Sequence, residues 1–383
     1  MRLEVSRYFG QNWRVRMLDF AKESGLFEMA DRLGEDERQV GLLRGMILGY
    51  TDKWLTATGR AILIDTETVL SAPLYNLDTN GKSRSFVLAG KIDKVVEIDG
   101  SLVIVDHKTT SLDITDPNSN YWRRLRIDNQ LAFYWNLALA NGMDVKSVQV
   151  DAVQKSHARP RKIHSADLLE LEAIGKYFKY DVSKESISHA MTEKRENAEL
   201  FGYRIAREDS ARYQRYTVPR TNQELGDFHH RVWDISKDML DVRKTGRAHQ
   251  VPSACLLYGT ACEYLGVCSN HDELTSDNWM TVDNVHPELG EEVPGGDVIT
   301  NSRMSCFLEC RRKHQHRYES GKRRMQEEQK ESLQFGTAWH HMMDLWWSLV
   351  CQKGNHDEYE DESTASEVVR SEAESPEGDK HSD

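Results

Sequence analysis

The stretch GKIDKVVEIDGSLVIVDHKTTS, residues 90–111, decides the fold. Asp99-Gly100 lies between two apolar runs, the sequence signal for a two-residue hairpin turn. With that pair at the turn, Ile98 faces Ser101, Val96 faces Val103, and Asp93 faces Asp106. Side chains alternate along a strand, so Asp106 and Lys108 share one face and Asp93 joins them. Directly opposed Cβ atoms lie roughly 5 Å apart. Two carboxylates so placed repel each other, and a bridging divalent cation removes the repulsion. Magnesium suits the position, because it takes oxygen ligands and keeps several waters. Lys108 then stands where it can orient or activate a water, or stabilise charge on phosphorus.

The flanks are apolar on both sides. Val95 and Ile104 lie on the face of the charged cluster, while Ile92, Val96, Ile98, Val103 and Val105 lie on the other. Such a strand pair belongs inside a sheet covered by helices on each side. Outside it, the pattern alternates between helix and strand. Residues 1 to about 62 read as helical, followed by a strand over AILIDTETVL. A helix from about Asn129 to Ala140 ends at Asn141-Gly142, and VKSVQVDAVQK follows as a strand. Helices are expected through 165–200 and 221–245, then a cysteine-rich loop over 253–268. Residues 270–300, rich in Gly, Pro and Asp, read as a linker before a last helical block over 301–350. The expectation is an α/β fold with a central mixed sheet flanked by helices.

The chain has 383 residues and a net charge of −12. An acidic balance argues against a broadly basic nucleic-acid surface. The charge is uneven, however. From Gly354 to Asp383 there are eleven acids against Arg370 and Lys380, which leaves −3 for the remainder. The end of the chain, 351–383, reads as a disordered acidic tail. No run of eighteen apolar residues and no apolar leader occurs, so the expected location is cytoplasmic, with no membrane partner.

GKIDKVVEIDGSLVIVDHKTTS resembles the core of the PD-(D/E)XK nuclease superfamily, in its RecB-like and CRISPR-adaptation exonuclease branch. Gly90 and Asp93 match G-x-x-D; Asp106, Lys108 and Thr109 match D-x-K-T; Gln130 and Tyr134 match a following Q-x-x-x-Y. The resemblance implies a restriction-endonuclease-like core with Asp93, Asp106, Lys108, Gln130 and Tyr134 as catalytic residues. It implies Mg2+ or Mn2+ on Asp93 and Asp106, with the His107 carbonyl as a further ligand.

CLLYGTACEYLGVC sets Cys255, Cys262 and Cys268 at a spacing unlike a zinc finger. It resembles the cysteine triplet that holds a 4Fe–4S cluster in this branch, for which a fourth thiolate is needed. SRMSCFLECRRKHQHRY resembles the family's early cysteine segment, without its proline, and makes Cys310 the fourth ligand. A zinc site is the alternative. FGTAWHHMMD resembles the first family motif, with Gly336, His340 and Asp344 matching, which makes His340 another metal ligand and His341 its neighbour and competitor. The basic run RRKHQHRYESGKRR points to DNA contact through Arg311, Arg312 and Tyr318.

These two early motifs follow the late ones here. Three arrangements account for that order: a circularly permuted domain, with 1–269 as its main part and 301–350 folding back to complete it; a truncated second copy; or a joining of gene pieces. The implied function is a metal-dependent deoxyribonuclease, an exonuclease or end-processing enzyme in DNA repair, recombination, or phage or CRISPR DNA processing. A helicase or recombination protein would be a partner beside DNA. The competing class is an inactive DNA-binding or assembly protein that keeps the fold.

Overall fold

A computed structural model describes residues 13–208, 210–257, 259–290, 297–325 and 331–353. The expected acidic tail falls almost wholly outside these residues.

Three helices come first: α1 (Trp13–Glu23), α2 (Leu26–Leu33) and α3 (Glu37–Thr58). Asp36 caps α3 by accepting the Gln39 amide at 2.6 Å. Three antiparallel strands follow: β1 (Ile62–Asn76), β2 (Gly81–Ile98) and β3 (Ser101–Thr110). The β2–β3 turn has Asp99 at φ 52° and Gly100 at φ 75°. Two positive φ values in succession define the tight turn that the Asp-Gly pair requires. The register runs Ile98 to Ser101, Val96 to Val103 and Lys94 to Val105, as the sequence predicts.

The chain then crosses over through α4 (Asn120–Leu125) and α5 (Asn129–Ala140) into β4 (Val145–Gln154), which lies parallel to β3. Helices α6 (Ser165–Ile174), α7 (Lys184–Glu193) and α8 (Ala198–Ile205) occupy the region expected as helical, broken by Gly175 at φ 64° and a short hairpin. A strand not anticipated from the sequence, β5 (Tyr213–Val218), pairs with β4. Next come α9 (Asn222–Thr245), β6 (Asp297–Ile299), α10 (Asn301–Glu309), α11 (Glu331–Val350) and β7 (Gln352–Lys353). A Thr221–Glu224 capping box starts α9, and Gly246 at φ 67° stops it. The sheet order is β7-β1-β2-β3-β4-β5, with β6 alongside the outer half of β2.

Two cores sandwich this sheet. Helices α3, α8 and α11 cover one face with Val96, Val103 and Val105, and helices α5, α9 and α10 cover the other with Val95 and Ile104. Ile92 joins the second core, against expectation, at a point where β2 has left its pairing with β3. Helices α3 and α8 approach unusually closely. A Cβ on Gly45 would meet the Gly202 carbonyl at 2.4 Å, so only glycine permits the contact.

The stretch 270–300, expected to be a linker, is built into the fold. Trp279–Thr281 pairs with Lys322–Arg324, and β6 pairs parallel with Phe86–Leu88 of β2. Of its described Gly and Pro residues, Pro287 opens a short 3-10 turn that ends at Gly290, whose φ is 67°. The block 301–350 is likewise not uniformly helical, because Cys310 takes an extended backbone and Lys322–Arg324 is a strand. Helix α11 buries Trp339, Met342, Met343, Trp346 and Trp347 completely, and the Trp346 indole donates to Thr51 Oγ1 of α3 at 2.9 Å. β7 then pairs parallel with Ile62–Leu63.

One charged cluster lies within the first core. Arg215 of β5 donates through Nε to Asp151 Oδ2 of β4 at 3.2 Å, through Nη2 to Tyr50 Oη at 2.8 Å and through Nη1 to Thr58 Oγ1 at 2.7 Å. Tyr50 itself donates to Asp151. The guanidinium is wedged between the rings of Trp54 and Trp347. Removing one member of a buried pair leaves the other charge uncompensated. Arg215→Met is therefore expected to lower stability by about 3–5 kcal/mol, read as a fall in the urea midpoint at unchanged slope. A midpoint equal to that of the wild type would show the cluster to be dispensable.

Candidate active site

Strand β2 offers one edge to two partners in succession: β3 along Lys94–Ile98 and β6 along Phe86–Leu88. Between them that edge is uncovered, and a cleft of about 260 Å³ opens there. Its walls include Asp93, Gln130, Tyr134, Glu288, Asn301 and Ser302. Gly90 sits at the floor. A Cβ there would lie 2.9 Å from Leu137 and 3.3 Å from the Tyr134 ring, so glycine lets α5 close over the strand.

The charged side chains meet at the mouth of the β2–β3 hairpin. The backbone amide of His107 donates to Asp93 Oδ2 at 2.8 Å. Lys108 Nζ donates to Asp106 Oδ1 at 3.2 Å and to Gln130 Oε1 at 2.6 Å. Gln130 Nε2 in turn donates to the Tyr134 hydroxyl at 2.9 Å. Gln130 and Tyr134 stand one turn apart on α5, whose N-terminus is capped by Asp128. Helix α11 delivers His340, with Nδ1 3.5 Å from Asp93 Oδ2 and its ring edge-on to His107. His341, one residue on, is exposed. Thus Asp93, Asp106, Lys108, Gln130, Tyr134, His107 and His340 come together from two strands and two distant helices.

Asp106 is 1% exposed. Burial pushes its carboxyl up to about 6, against the opposing pull of Lys108. Burial alone would lower the Lys108 ammonium, but the Asp106 charge outweighs it and holds that pKa above the usual lysine value. Burial keeps His107 neutral, far below the usual range, with the Lys94 charge adding to the effect.

Asp106 Oδ2 is buried without a hydrogen bond; its approach to Lys108 Nζ at 2.9 Å lacks hydrogen-bond geometry. An orphaned carboxylate oxygen beside a second carboxylate fits a hard divalent cation. Among the described residues, no three His, Cys, Asp or Glu side chains gather tightly enough to hold a metal ion alone.

Two buried charges here went unread in the sequence. Lys94 is 1% exposed, and among the described residues its ammonium pairs only with Asp344 Oδ1 of α11, at 3.8 Å. Asp344 therefore faces Lys94. Asp151 lies 3.7 Å from the His107 ring. A lysine between Ile92 and Val96, and an aspartate within VQVDAV, occupy positions that the strand pattern reserves for apolar residues, and that mismatch was the available signal.

Cys255, Cys262, Cys268 and Cys310 line one small pocket with Lys313. Burial raises the thiols of Cys262 and Cys268. Four thiols around one pocket are the donor set of an iron–sulfur cluster or a zinc ion, though they are not drawn together to ligating distance. The nucleic-acid contacts expected nearby divide. Arg311 and Arg312 are both part-buried, and Arg311 pairs with Asp238 at 3.2 Å. Tyr318 is buried, with its ring against His286 and His314 and guanidinium groups of Arg303 and Arg323 over it. A ring so enclosed has no face to offer a base, and this corrects the expectation for Tyr318.

The sequence profile of the PD-(D/E)XK nuclease superfamily matches residues 15–269 and 298–382. The chain belongs to the PD-(D/E)XK nuclease superfamily. Superfamily members are generally nucleases, phosphodiester hydrolases that typically use Mg2+ or Mn2+. The mixed sheet with helices on both faces fits the restriction-endonuclease-like architecture of that superfamily. No curated protein and no solved structure matches the chain. No helix among the described residues is long and apolar enough to cross a membrane.

The raised Asp106 pKa has a measurable sign. A carboxyl with a folded pKa of about 6, against 3.8 unfolded, favours folding below pH 4 and loses that contribution as pH rises through 6. Two pKa units correspond to roughly 3 kcal/mol. In EDTA, the stability difference between Asp106→Asn and wild type is expected to move in the variant's favour by up to that amount from pH 4 to pH 8. A difference independent of pH in urea titrations would mean that Asp106 titrates normally.

Proposed function

We propose that this chain is a metal-dependent deoxyribonuclease acting on intracellular DNA, at or near strand ends. The observation that carries the proposal is the orphaned Asp106 oxygen beside Asp93, with Lys108 held between Asp106 and Gln130. Asp93 and Asp106 would hold Mg2+ or Mn2+, with the His107 carbonyl and His340 completing the protein's share of the ligands. The cation supplies an activated water and charge neutralisation at the phosphate. Lys108 aligns that water and stabilises charge developing on the phosphate oxygens. The Tyr134–Gln130–Lys108 chain fixes the lysine, since each group's hydrogen bonds are satisfied by the next. Lys94 and Asp344 tie α11, and with it His340, to the hairpin.

The cleft between β3 and β6 supports action near an end, because segments from the C-terminal block stand across it beside Asp93. Cys255, Cys262, Cys268 and Cys310 would hold a 4Fe–4S cluster, with zinc as the alternative occupant. The cluster would act structurally, joining the loop after α9 to the helix that begins at Arg311. A role in repair, recombination, or phage or CRISPR DNA processing, with a helicase or recombination partner, fits such an enzyme.

End-labelled linear DNA should be cleaved with Mg2+ or Mn2+ and spared in EDTA. Asp106→Ala and Lys108→Ala should each lose roughly 100- to 10,000-fold in rate. Equal cleavage by wild type and both variants would refute the site, and a folded, metal-loaded wild type that cuts nothing would favour the inactive binding protein.

Anaerobically purified protein should carry broad visible absorbance from iron and sulfide. Cys262→Ser should bleach it and lower the thermal midpoint. A colourless wild type containing zinc would replace the cluster, and a fully stable but inactive Cys262→Ser protein would contradict the structural role.

A further inference from the structure

Between β3 and α5 the chain forms a lobe, residues 111–128, that begins three residues after Lys108 and ends on Asp128, the cap of the helix bearing Gln130. It is held firmly from beneath. Trp122 is buried, donates from its indole to Ile114 O at 3.0 Å, and packs against Tyr121 and Tyr216. Arg220 donates to the carbonyls of Leu125 and Asp128, each at 3.1 Å, and to that of Arg126. Arg220 thereby ties the end of α4 to the residue that caps α5.

The outer side is different. Arg123, Arg124 and Arg126 are all exposed within four residues, and Ile127 beside them is 79% exposed. None of the three guanidinium groups forms an ion pair among the described residues. The lobe's own acids are engaged elsewhere. Asp113 accepts from Thr115, Asp116 accepts from the Asn118 amide, and Asp128 caps α5. The lobe joins the charged site through the chain at both ends, since it follows Lys108 of β3 and closes on Asp128, which caps the helix bearing Gln130. Three unpaired guanidinium groups on a braced support, in a chain of net charge −12, are suited to a polyanion.

We propose that Arg123, Arg124 and Arg126 form a ridge that grips the phosphate backbone of the DNA strand entering the site. The inference rests on the nuclease function proposed above. The ridge fixes where the strand lies, and Asp93, Asp106 and Lys108 act on the phosphodiester that it presents.

The test is the anisotropy of a fluorescein-labelled single-stranded oligonucleotide in EDTA, titrated with the full-length protein over a series of salt concentrations. The ridge variant is Arg123→Ser with Arg124→Ser and Arg126→Ser. The control variant is Arg32→Ser with Arg60→Ser and Arg247→Ser, which removes as much charge from other exposed positions. Circular dichroism and thermal melting confirm that each is folded. Each lost contact to a single strand lowers the salt slope by about 0.7, so the ridge variant should lose about 2 and bind tenfold or more weaker. The control should bind within about twofold of wild type. A ridge variant with the wild-type slope and affinity overturns the proposal, as does an equal loss in the control. Wild type that binds and cuts DNA beside an unaffected ridge variant refutes only the ridge, whereas wild type that neither binds nor cuts refutes the nuclease function itself.

Discussion

A carboxylate kept out of water dictates much of this structure. Asp106 lies on a central strand with sheet on one side and helix on the other, where an isolated charge would be neutralised by a shift in pKa. Lys108 offsets part of that cost, but Lys108 must itself be held, and Gln130 holds it. Gln130 is placed by α5, and α5 reaches β2 because residue 90 has no side chain. Each step follows from the preceding one, so the hairpin, the crossover helix and the glycine form one physical unit. Asp106 Oδ2 is left buried without a hydrogen bond, with the Lys108 ammonium 2.9 Å away.

The C-terminal block completes this arrangement by apolar packing. Helix α11 inserts Trp339, Trp346 and Trp347 into the core built by α3, and three fully buried indoles account for a large share of that core's apolar surface. His340 and Asp344 ride on the edge of the same helix, one turn apart, and meet Asp93 and Lys94 respectively. The helix position is thus set by tryptophans on one face and read out by ionisable groups on another. A shift of α11 along its axis would separate both pairs at once, which makes the geometry near Asp93 sensitive to the packing beneath it. The parallel pairing of β7 with β1 restrains such a shift.

The hairpin was legible because its turn chemistry is local: Asp99 and Gly100 adopt positive φ, and the pairings from Ile98–Ser101 to Lys94–Val105 follow by counting, though the ladder stops before the expected Asp93–Asp106 pair. Gln130 and Tyr134 were legible through helical spacing and likeness to a family. Strand β5 was not, since YQRYTV has no turn signal of its own and gains strand structure from the exposed edge of β4. The segment 270–300 misled for the opposite reason. Its Gly and Pro content is real, but in three-residue strands turns outnumber strand positions, and composition then resembles a linker. Tyr318 misled because a basic, aromatic run looks alike whether the ring faces water or is stacked between buried histidines. Only the tertiary contacts of His286 and His314 decide it.

Net charge misleads in the same manner, by averaging over distances across which charges do not interact. At physiological ionic strength the screening length is roughly 8 Å, so a charge farther than that from the hairpin contributes little to the potential there. What a substrate phosphate meets is set by the few groups within that radius. Among the groups at the mouth of the hairpin, the Asp93 and Asp106 carboxylates repel it and Lys108 attracts it. Unaided, that balance disfavours a polyanion at the place where hydrolysis would occur. Two additions reverse it: a divalent cation on the carboxylates, and fixed cations on a neighbouring support. The proposed ridge on the lobe at 111–128 would meet the second need, because the lobe's acids are absorbed in turns and a helix cap while Arg123, Arg124 and Arg126 are exposed. A chain can therefore be acidic overall and still present phosphate with a local surface of the opposite sign.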